Sequence, residues 1–287
     1  MALLAHLSDV HFGRHDPAAV AAVLDDLAAT RPDLVVVSGD FTQRARRSQF
    51  REARVFLQDI EALGLAWLGV PGNHDIPLYD VARRFLAPLK RYRHYITRDL
   101  TPRFEAPGVA VAGINTARSL TIKDGRVSEE QIAGLAAHFA DVPATAMRVL
   151  VTHHPLFALP VGDGPELGKA IGKQEMALDA IAEAGIDVLL AGHNHRASTH
   201  HAADLITRAG SALVIQAGTA TSTRLRDEEQ SFNLIEIAPD DVTVTVQAWD
   251  GGQFASRDAQ RYRRSADRWS LEGGVTKGAG ADSAAVA

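Results

Sequence analysis

The sequence contains no cysteine among its 287 residues. A disulfide framework, a cysteine-ligated zinc ribbon, an iron–sulfur cluster and a cysteine nucleophile are therefore excluded. Twelve histidines are present instead. Any metal centre in this protein must use imidazole and carboxylate ligands, which favours Zn, Mn, Fe or Co over thiophilic Cu(I).

A long hydrophobic run and an excess of basic residues are also missing. No stretch approaches the ~20 apolar residues of a membrane-spanning helix, and the short apolar run at the N-terminus has no Lys or Arg before it, unlike a secretion signal. We therefore expect a cytoplasmic protein without a transmembrane segment. The formal net charge of −5 argues against a stable nucleic-acid complex, because such binding requires Lys and Arg to neutralise phosphates.

Short apolar runs alternate with amphipathic segments along the first two thirds of the chain. The runs have the length and flanking turn residues of buried strands, and the segments have the 3.6-residue spacing of helices. We predict strands at 3–7, 34–37, 66–70, 109–114, 148–152 and 188–191, and helices at 17–30, 48–63, 128–140 and 173–184. This alternation favours an α/β fold built from βαβ units. Strand-like runs at 213–216, 231–237 and 242–248 predict an antiparallel part of the same domain.

A basic segment interrupts this pattern. Residues 81–103 contain seven basic residues and one acidic residue. We assign 76–105 as a basic insertion or lid of a single domain that spans 1–270, and the Gly-, Ala- and Ser-rich residues 271–287 as a disordered tail. The basic segment has three interpretations: a solvated helical face, a lid that presents Arg to an anionic substrate, and a surface at 81–103 for peripheral membrane contact.

Acidic, amide and imidazole side chains follow five of the predicted strands directly. Because ligands bind outside the carboxyl ends of strands in open α/β sheets, we expect these loops to converge. Such groups would repel or desolvate one another in one crevice without a cation to balance them. The candidate metal ligands are Asp9, His11, Asp40, Asn73, His153, His193 and His195. Seven groups are too many for one four-coordinate ion and suit two ions with open positions.

The five motifs are Asp9-x-His11, Gly39-Asp40, Gly72-Asn73-His74-Asp75, His153-His154-Pro155 and Gly192-His193-Asn194-His195. In this order they resemble the calcineurin-like metallophosphoesterase superfamily, and the bacterial cyclic-nucleotide and glycerophosphodiester phosphodiesterases in particular. The resemblance covers roughly residues 3–250. We predict a four-layer αββα sandwich of two mixed sheets flanked by helices, with a basic helical insertion.

The resemblance implies a role for each candidate. Two divalent ions (Mn, Fe, Zn or Co) would be bridged by Asp40, and a hydroxide between them would attack the phosphorus atom. The first ion would be held by Asp9, His11 and His195, and the second by Asn73, His153 and His193. His74 would stabilise charge on the substrate or protonate the leaving alkoxide, and Asp75 would orient His74 by accepting its second N–H. His154 either lies behind the ligands or packs beside Pro155.

We therefore expect a dinuclear phosphoesterase that acts on small anionic phosphodiesters of the cyclic-nucleotide or glycerophosphodiester type. One alternative is a phosphomonoesterase or lipid-linked pyrophosphate hydrolase that uses the basic insertion as a substrate lid. A remote alternative is a non-catalytic protein-binding scaffold. A homo-oligomer is also possible, since the strand-rich region 205–250 could supply a sheet edge to a second copy.

Overall fold

Two β-sheets packed face to face form the centre of the protein, and helices cover their outer surfaces. The computed structural model describes residues 1–121, 124–158, 171–172, 174–195, 197–201, 212–223, 229–265 and 268–276. The strands are β1 Ala2–Leu7, β2 Leu34–Val37, β3 Trp67–Gly69, β4 Arg103–Ala106, β5 Val109–Gly113, β6 Met147–Val151, β7 Val188–Ala191, β8 Ser198–His201, β9 Leu213–Gln216, β10 Ser231–Ala238, β11 Asp241–Trp249, β12 Phe254–Ser265 and β13 Arg268–Thr276. The helices are α1 Pro17–Thr30, α2 Arg47–Ala62, α3 Val81–Leu86, α4 Lys90–Tyr95, α5 Glu129–His138 and α6 Gln174–Glu183, with a 3₁₀ turn at Asn73–Asp75.

Both sheets are mixed. The first has the strand order β13-β12-β11-β10-β1-β2-β3, in which β1, β2 and β3 are parallel and the remaining pairs are antiparallel. The second has the order β4-β5-β6-β7-β9-β8, in which β5, β6, β7 and β9 are parallel and β4 and β8 are antiparallel edges. The carboxyl ends of seven parallel strands are therefore available to carry loops.

Side-chain alternation produces the layers. On β1, Leu4 points into the layer between the sheets, whereas Ala5 and Leu7 point outward to α1 and α2. On the second sheet, Val149 of β6 faces the same inner layer and Leu150 faces α5 and α6. Each large aliphatic side chain buried in this way contributes about 1.5–3 kcal/mol. The predicted αββα sandwich of two mixed sheets is confirmed.

Local capping signals set the helix ends close to their predicted positions. The Asp16 carboxylate accepts a hydrogen bond from the backbone N–H of Ala18 at 2.9 Å, and Pro17 occupies the first helical position of α1, where its missing N–H costs nothing. At α5, Ser128 and Gln131 cap each other's backbone N–H groups. These signals lie in the sequence itself, which is why helix positions could be predicted from it.

The C-terminal strand pair corrects two predictions. Residues 271–276 are not a disordered tail: they belong to β13, which pairs antiparallel with β12. Trp269 packs between the sheets beside Tyr262, and Arg263 contacts the carboxylate of Glu272 at 3.5 Å. Strand pairing is made by backbone hydrogen bonds and does not require particular side chains. A glycine-containing segment can therefore form a strand without showing a strand-like sequence pattern. Residues 277–287 lie outside the described part of the chain.

The second correction concerns the sheet edges. The region 205–250 was expected to offer an edge to a second copy, but the described strands within it are internal: β9 lies between β7 and β8, and β10 and β11 lie between β1 and β12. The edges are formed by β3, β4, β8 and β13. Additional strands at the C-terminus, which the sequence pattern did not reveal, cover the predicted edge.

The basic insertion is helical and is tied to the body of the protein. Arg84 is buried and donates hydrogen bonds to three backbone carbonyls, those of Pro77, Ser119 and Thr121. Arg91 donates to the Ala45 carbonyl at 2.6 Å, and the buried Tyr92 hydroxyl donates to the Gly69 carbonyl at 3.0 Å. None of the described helices combines the length and apolarity needed to span a bilayer.

Candidate metal centre

All seven predicted ligands lie in loops at the carboxyl ends of the strands, on the same side of the sandwich. Asp9 and His11 follow β1, Asp40 follows β2, and Asn73 begins the 3₁₀ turn after β3. His153 follows β6, and the two remaining histidines follow β7. Five of the seven residues have a left-handed backbone, with φ of 51° at Asp9, 48° at His11, 53° at Asp40, 70° at His193 and 59° at His195. L-residues seldom adopt this conformation, and it concentrates at functional sites.

The first group of ligand atoms surrounds Asp9. Its Oδ1 atom lies 3.4 Å from His11 Nε2 and 3.4 Å from His195 Nε2. Two ligands of a tetrahedral ion with bonds of about 2.1 Å are separated by about 3.4 Å. Within the described part of the chain, Asp9 Oδ1 and His11 Nε2 are buried without a hydrogen-bond partner. A cation would satisfy both atoms, so this donor set fits a metal ion.

The second group surrounds Asn73. Its Oδ1 atom lies 3.2 Å from His153 Nε2 and 3.1 Å from His193 Nδ1, and the two histidine nitrogens are 3.3 Å apart. The three atoms form a nearly equilateral triangle. This triangle has the spacing of three ligands on one ion.

Asp40 lies between the two groups. Its Oδ2 atom is 3.7 Å from His11 Nε2 and 3.5 Å from His153 Nε2, while its Oδ1 atom accepts the backbone N–H of His74 at 2.8 Å. Gly72 makes this close approach possible, because a Cβ atom there would lie 2.1 Å from Asp40 Oδ1. One carboxylate can therefore contact ions in both groups.

Hydrogen bonds from neighbouring residues orient the side chains of the candidate ligands. Asp9 Oδ2 accepts from the Ser8 hydroxyl at 2.6 Å and from the His193 backbone N–H at 3.0 Å, which leaves Oδ1 facing the first group. His153 Nδ1 lies 2.8 Å from the Ser38 carbonyl and so carries its proton there, leaving Nε2 as a ligand atom. His195 Nδ1 lies 2.5 Å from the Thr219 hydroxyl.

Ser8, Ser38 and Thr219 were not identified from the sequence. Ser8 and Ser38 come directly after β1 and β2, and Thr219 follows β9, a parallel strand whose end carries no acid or histidine. A search of the parallel strand ends for Ser and Thr, in addition to acids and histidines, could have found them.

His154 lies beside the second group of ligand atoms. Its ring centroid is 4.6 Å from that of His193, and its Nδ1 atom lies 2.8 Å from the Thr116 hydroxyl. Thr116 belongs to the loop after β5. His154 therefore connects that loop to the metal-ligand cluster.

His74 is held in a way that the sequence did not predict. We expected Asp75 to accept the second N–H of His74, but His74 Nδ1 lies 2.8 Å from the Gln43 carbonyl oxygen. Asp75 is fully buried, and its carboxylate accepts hydrogen bonds from the backbone N–H groups of Phe41, Thr42 and Gly72 and from the Thr42 hydroxyl. Successive side chains of a 3₁₀ turn diverge by about 120°, which sends these two neighbours in different directions. Asp75 joins the loop after β2 to the turn after β3.

Charges within the cluster control its protonation when no metal is bound. Burial lowers the pKa of His153, but the nearby Asp40 carboxylate outweighs burial and raises it to about 9. Burial likewise acts to raise the pKa of Asp40, yet the neighbouring His153 and His74 hold it below its ordinary value. The pKa of His193 falls to about 3 through burial and the adjacent His153 charge. His153 therefore acts as the counter-cation of Asp40 in the metal-free protein.

Metal binding is expected to release protons. His153, with a pKa of about 9, is protonated at pH 7, and its Nε2 atom must lose that proton before it can bind a cation. Metal affinity should therefore rise about tenfold per pH unit for each proton released, up to about pH 9. Isothermal titration of metal-free protein with Mn²⁺ at pH 7, in two buffers of different ionisation enthalpy, measures the release. A binding heat that does not depend on the buffer would contradict this prediction.

Two groups of acid, amide and imidazole side chains that share one carboxylate, at one edge of an αββα sandwich, form a candidate dinuclear metal site of the kind used by hydrolases. The sequence profile of the calcineurin-like phosphoesterase family matches residues 2–197, a span that includes all seven candidate ligands. The chain belongs to the calcineurin-like phosphoesterase family.

Curated relatives agree with this assignment. The chain is 27% identical over 284 residues to a cAMP/cGMP dual specificity phosphodiesterase of Mycobacterium tuberculosis, covering 88% of this chain and 80% of the relative. It is 28% identical over 213 residues to a glycerophosphodiester phosphodiesterase of Enterobacter lignolyticus, covering 67% and 70%. The protein is a metal-dependent phosphoester hydrolase.

Solved structures share the fold at low identity. A dimetal phosphatase from Danio rerio superposes with a TM-score of 0.61 at 14% identity, covering 89% of this chain and 98% of that structure. A purple acid phosphatase from yellow lupin superposes with a TM-score of 0.65 at 11% identity, covering 89% and 52%. The Danio rerio structure is named as a dimetal phosphatase. In the described part of this chain, groups of His and Asp side chains lie close enough together to hold a metal ion.

Proposed function

We propose that this protein hydrolyses small phosphodiesters of the cyclic-nucleotide or glycerophosphodiester type in the cytoplasm. The observation that carries the proposal is the convergence of seven ligand side chains in two groups around Asp40, with His74 fixed to the same carboxylate. Two curated relatives, which match 88% and 67% of the chain, are named as phosphodiesterases for these substrate types. Their names support a diester substrate over a monoester.

The seven ligands would divide between two ions that share Asp40. One ion would be held by Asp9, His11 and His195, and the other by Asn73, His153 and His193. Ions held there would supply Lewis acidity toward phosphoryl oxygens and lower the pKa of a water molecule. The donors are nitrogen and oxygen atoms only, which suits Mn, Fe, Zn and Co.

His74 is proposed to protonate the leaving alcohol. Its Nδ1–H donates to the Gln43 carbonyl, which lies 2.8 Å away, so the second proton of the imidazolium resides on Nε2. Diester hydrolysis expels an alkoxide, which is a poor leaving group unless a proton reaches it in the transition state. The His74 ring packs edge-on against His11, with centroids 4.9 Å apart, which places this acid beside the first ligand group.

Asp75 is proposed to act as a positioning residue. Its hydrogen bonds join the loop that carries Asp40 to the turn that carries Asn73 and His74. Burial and the charge of Asp40 raise the pKa of Asp75 to about 7 in the metal-free protein. The side chain therefore sets the separation of two ligand-bearing loops and does not itself face the substrate.

A substrate panel tests the diester assignment. Metal-stripped protein is reloaded separately with Mn²⁺, Zn²⁺, Co²⁺ or Fe²⁺ and assayed on bis-p-nitrophenyl phosphate, cyclic AMP, glycerophosphocholine and p-nitrophenyl phosphate. We expect kcat/KM for at least one natural diester to exceed that for the monoester by about tenfold or more. A phosphodiester has one negative charge and two ester groups, whereas a phosphomonoester has up to two negative charges and one ester group, and the site must distinguish them. A monoester preference would support the alternative of a phosphomonoesterase. Negligible turnover with every metal would favour the protein-binding scaffold.

A further inference from the structure

A second concave site lies beside the metal centre, between the basic insertion and the loop after β5. The cleft has a volume of about 520 Å³, which is within the range of small-molecule pockets. Its described lining contains none of the seven ligands, nor His74 or Asp75. Its described lining includes Ile76, one residue beyond Asp75, and Ala117 and Arg118 of the loop after β5.

The cleft concentrates positive charge. Lys90 and Arg93 from α4 and Arg118 from the loop after β5 line it, and no acidic residue occurs in its described lining. Among the described residues, Lys90 and Arg93 form no ion pair or side-chain hydrogen bond. Arg118 donates to the Asn115 and Ala117 carbonyls and to the side-chain oxygen of Gln131. These acceptors fix its position, but they are uncharged and do not neutralise its charge. Three cations without a counter-ion form a site for an anionic group.

Three other cations of the insertion are absent from the described lining of the cleft and are held by other partners. Arg83 pairs with Asp80, Arg84 donates to three carbonyls, and Arg91 donates to Ala45. Lys90 and Arg93 lie three residues apart on one helix and so project on neighbouring faces. The insertion thus holds itself in place with one set of basic residues and presents another set to the cleft.

The rest of the cleft wall is apolar, and the apolar surface continues outside it. Ile76, Leu86 and Leu100 line the cleft, and Leu86 is 85% exposed. Five of the nine large hydrophobic side chains that are exposed in the described part of the chain are Tyr79, Val81, Phe85, Leu86 and Leu120. A group of exposed apolar side chains of this kind is typical of a binding surface.

We propose that this cleft binds an amphiphilic anion, with its phosphate or carboxylate group between Lys90, Arg93 and Arg118 and its hydrocarbon part along Leu86 and the exposed face of α3. The ligand chemistry is the same whether the anion is a free alkyl phosphate or the headgroup of a lipid. Binding here does not need the metal ions, so this inference does not depend on the proposed diester activity.

Titration calorimetry with octyl phosphate tests the site. We expect octyl phosphate to bind EDTA-treated protein, whose metal centre is empty, more tightly than inorganic phosphate or neutral octyl glucoside does. The double variant Lys90→Ala/Arg93→Ala should weaken octyl phosphate binding about tenfold, since two charge-assisted contacts are lost. The matched double variant Arg51→Ala/Arg98→Ala, which removes the same charge from exposed positions outside the cleft, should change it less than twofold.

A second variant tests the apolar part. Leu86→Asp at an exposed position should weaken octyl phosphate about tenfold, whereas Val55→Asp, at a position 55% exposed on α2, should have no effect. Co-sedimentation with vesicles of phosphatidylcholine plus phosphatidate, compared with phosphatidylcholine alone, distinguishes a membrane lipid from a free alkyl phosphate as the ligand. Either result supports the site. Equal affinities across all variants, or binding of octyl phosphate that disappears when the metals are removed, would overturn the proposal.

Discussion

Replacing Asp40 with asparagine is expected to lower metal occupancy and activity together. Asp40 Oδ2 lies between His11 and His153, one from each ligand group, so its charge would serve an ion held in either group. Asparagine keeps the shape and can still accept the His74 backbone N–H through Oδ1, but it removes the negative charge. Mutation of a residue that only hydrogen-bonds to a metal ligand typically lowers metal affinity or activity by about 10–100-fold. Because Asp40 is itself a candidate ligand, kcat/KM for a diester should fall by more than about 100-fold.

Metal content by inductively coupled plasma mass spectrometry, measured beside activity, checks this expectation. Wild-type protein should carry two ions per chain and Asp40→Asn fewer than two. Asp59→Asn changes an exposed carboxylate on α2 and should leave both quantities unchanged. Circular dichroism of Asp40→Asn should match that of the metal-free wild type. Retention of two ions and normal turnover in the variant would refute the bridging role of Asp40.

Replacing His74 with alanine is expected to lower turnover while both ions stay bound. The contact of His74 with Asp40 is made by its backbone N–H, which alanine retains, so the ligand geometry should persist. Loss of a general acid typically lowers the rate by about 10²–10⁴-fold. The loss should appear in kcat with little change in KM, because the proton is needed only in the transition state.

The leaving group distinguishes a proton donor from a residue that only shapes the site. Cyclic AMP and glycerophosphocholine expel alkoxides and should show the full loss in His74→Ala, whereas bis-p-nitrophenyl phosphate expels a stable phenolate and should lose about tenfold or less. His94→Ala, an exposed histidine on α4, serves as the control. An equal loss on all substrates, or loss of bound metal in His74→Ala, would contradict the assigned role.

Much of the architecture could be predicted because its determinants are local. Buried strands such as β2 and β7 are short apolar runs, and Asp16 and Ser128 cap helices within a few residues of their own position. The places of the candidate ligands were predictable for the same reason, since each stands at the end of a strand that the sequence already marks. Parallel strands then bring those ends to one edge without any further information.

Features that depend on contacts distant in sequence could not be predicted. β13 is stabilised by pairing with β12 and by Trp269 between the sheets, neither of which a glycine-rich segment reveals. The partner of His74 is a backbone carbonyl, that of Gln43, and every residue except proline offers an equivalent atom. Asp75 was assigned to His74 because the two are adjacent, but the 3₁₀ turn separates neighbouring side chains.

The most direct test of the central claim is the number of ions that activity requires. Metal-stripped protein should hydrolyse bis-p-nitrophenyl phosphate at no more than background rate, and stepwise addition of Mn²⁺ should restore turnover until two ions are bound per chain. Full turnover in the stripped protein, or full turnover with a single ion bound, would contradict a dinuclear site built from two ligand groups that share Asp40.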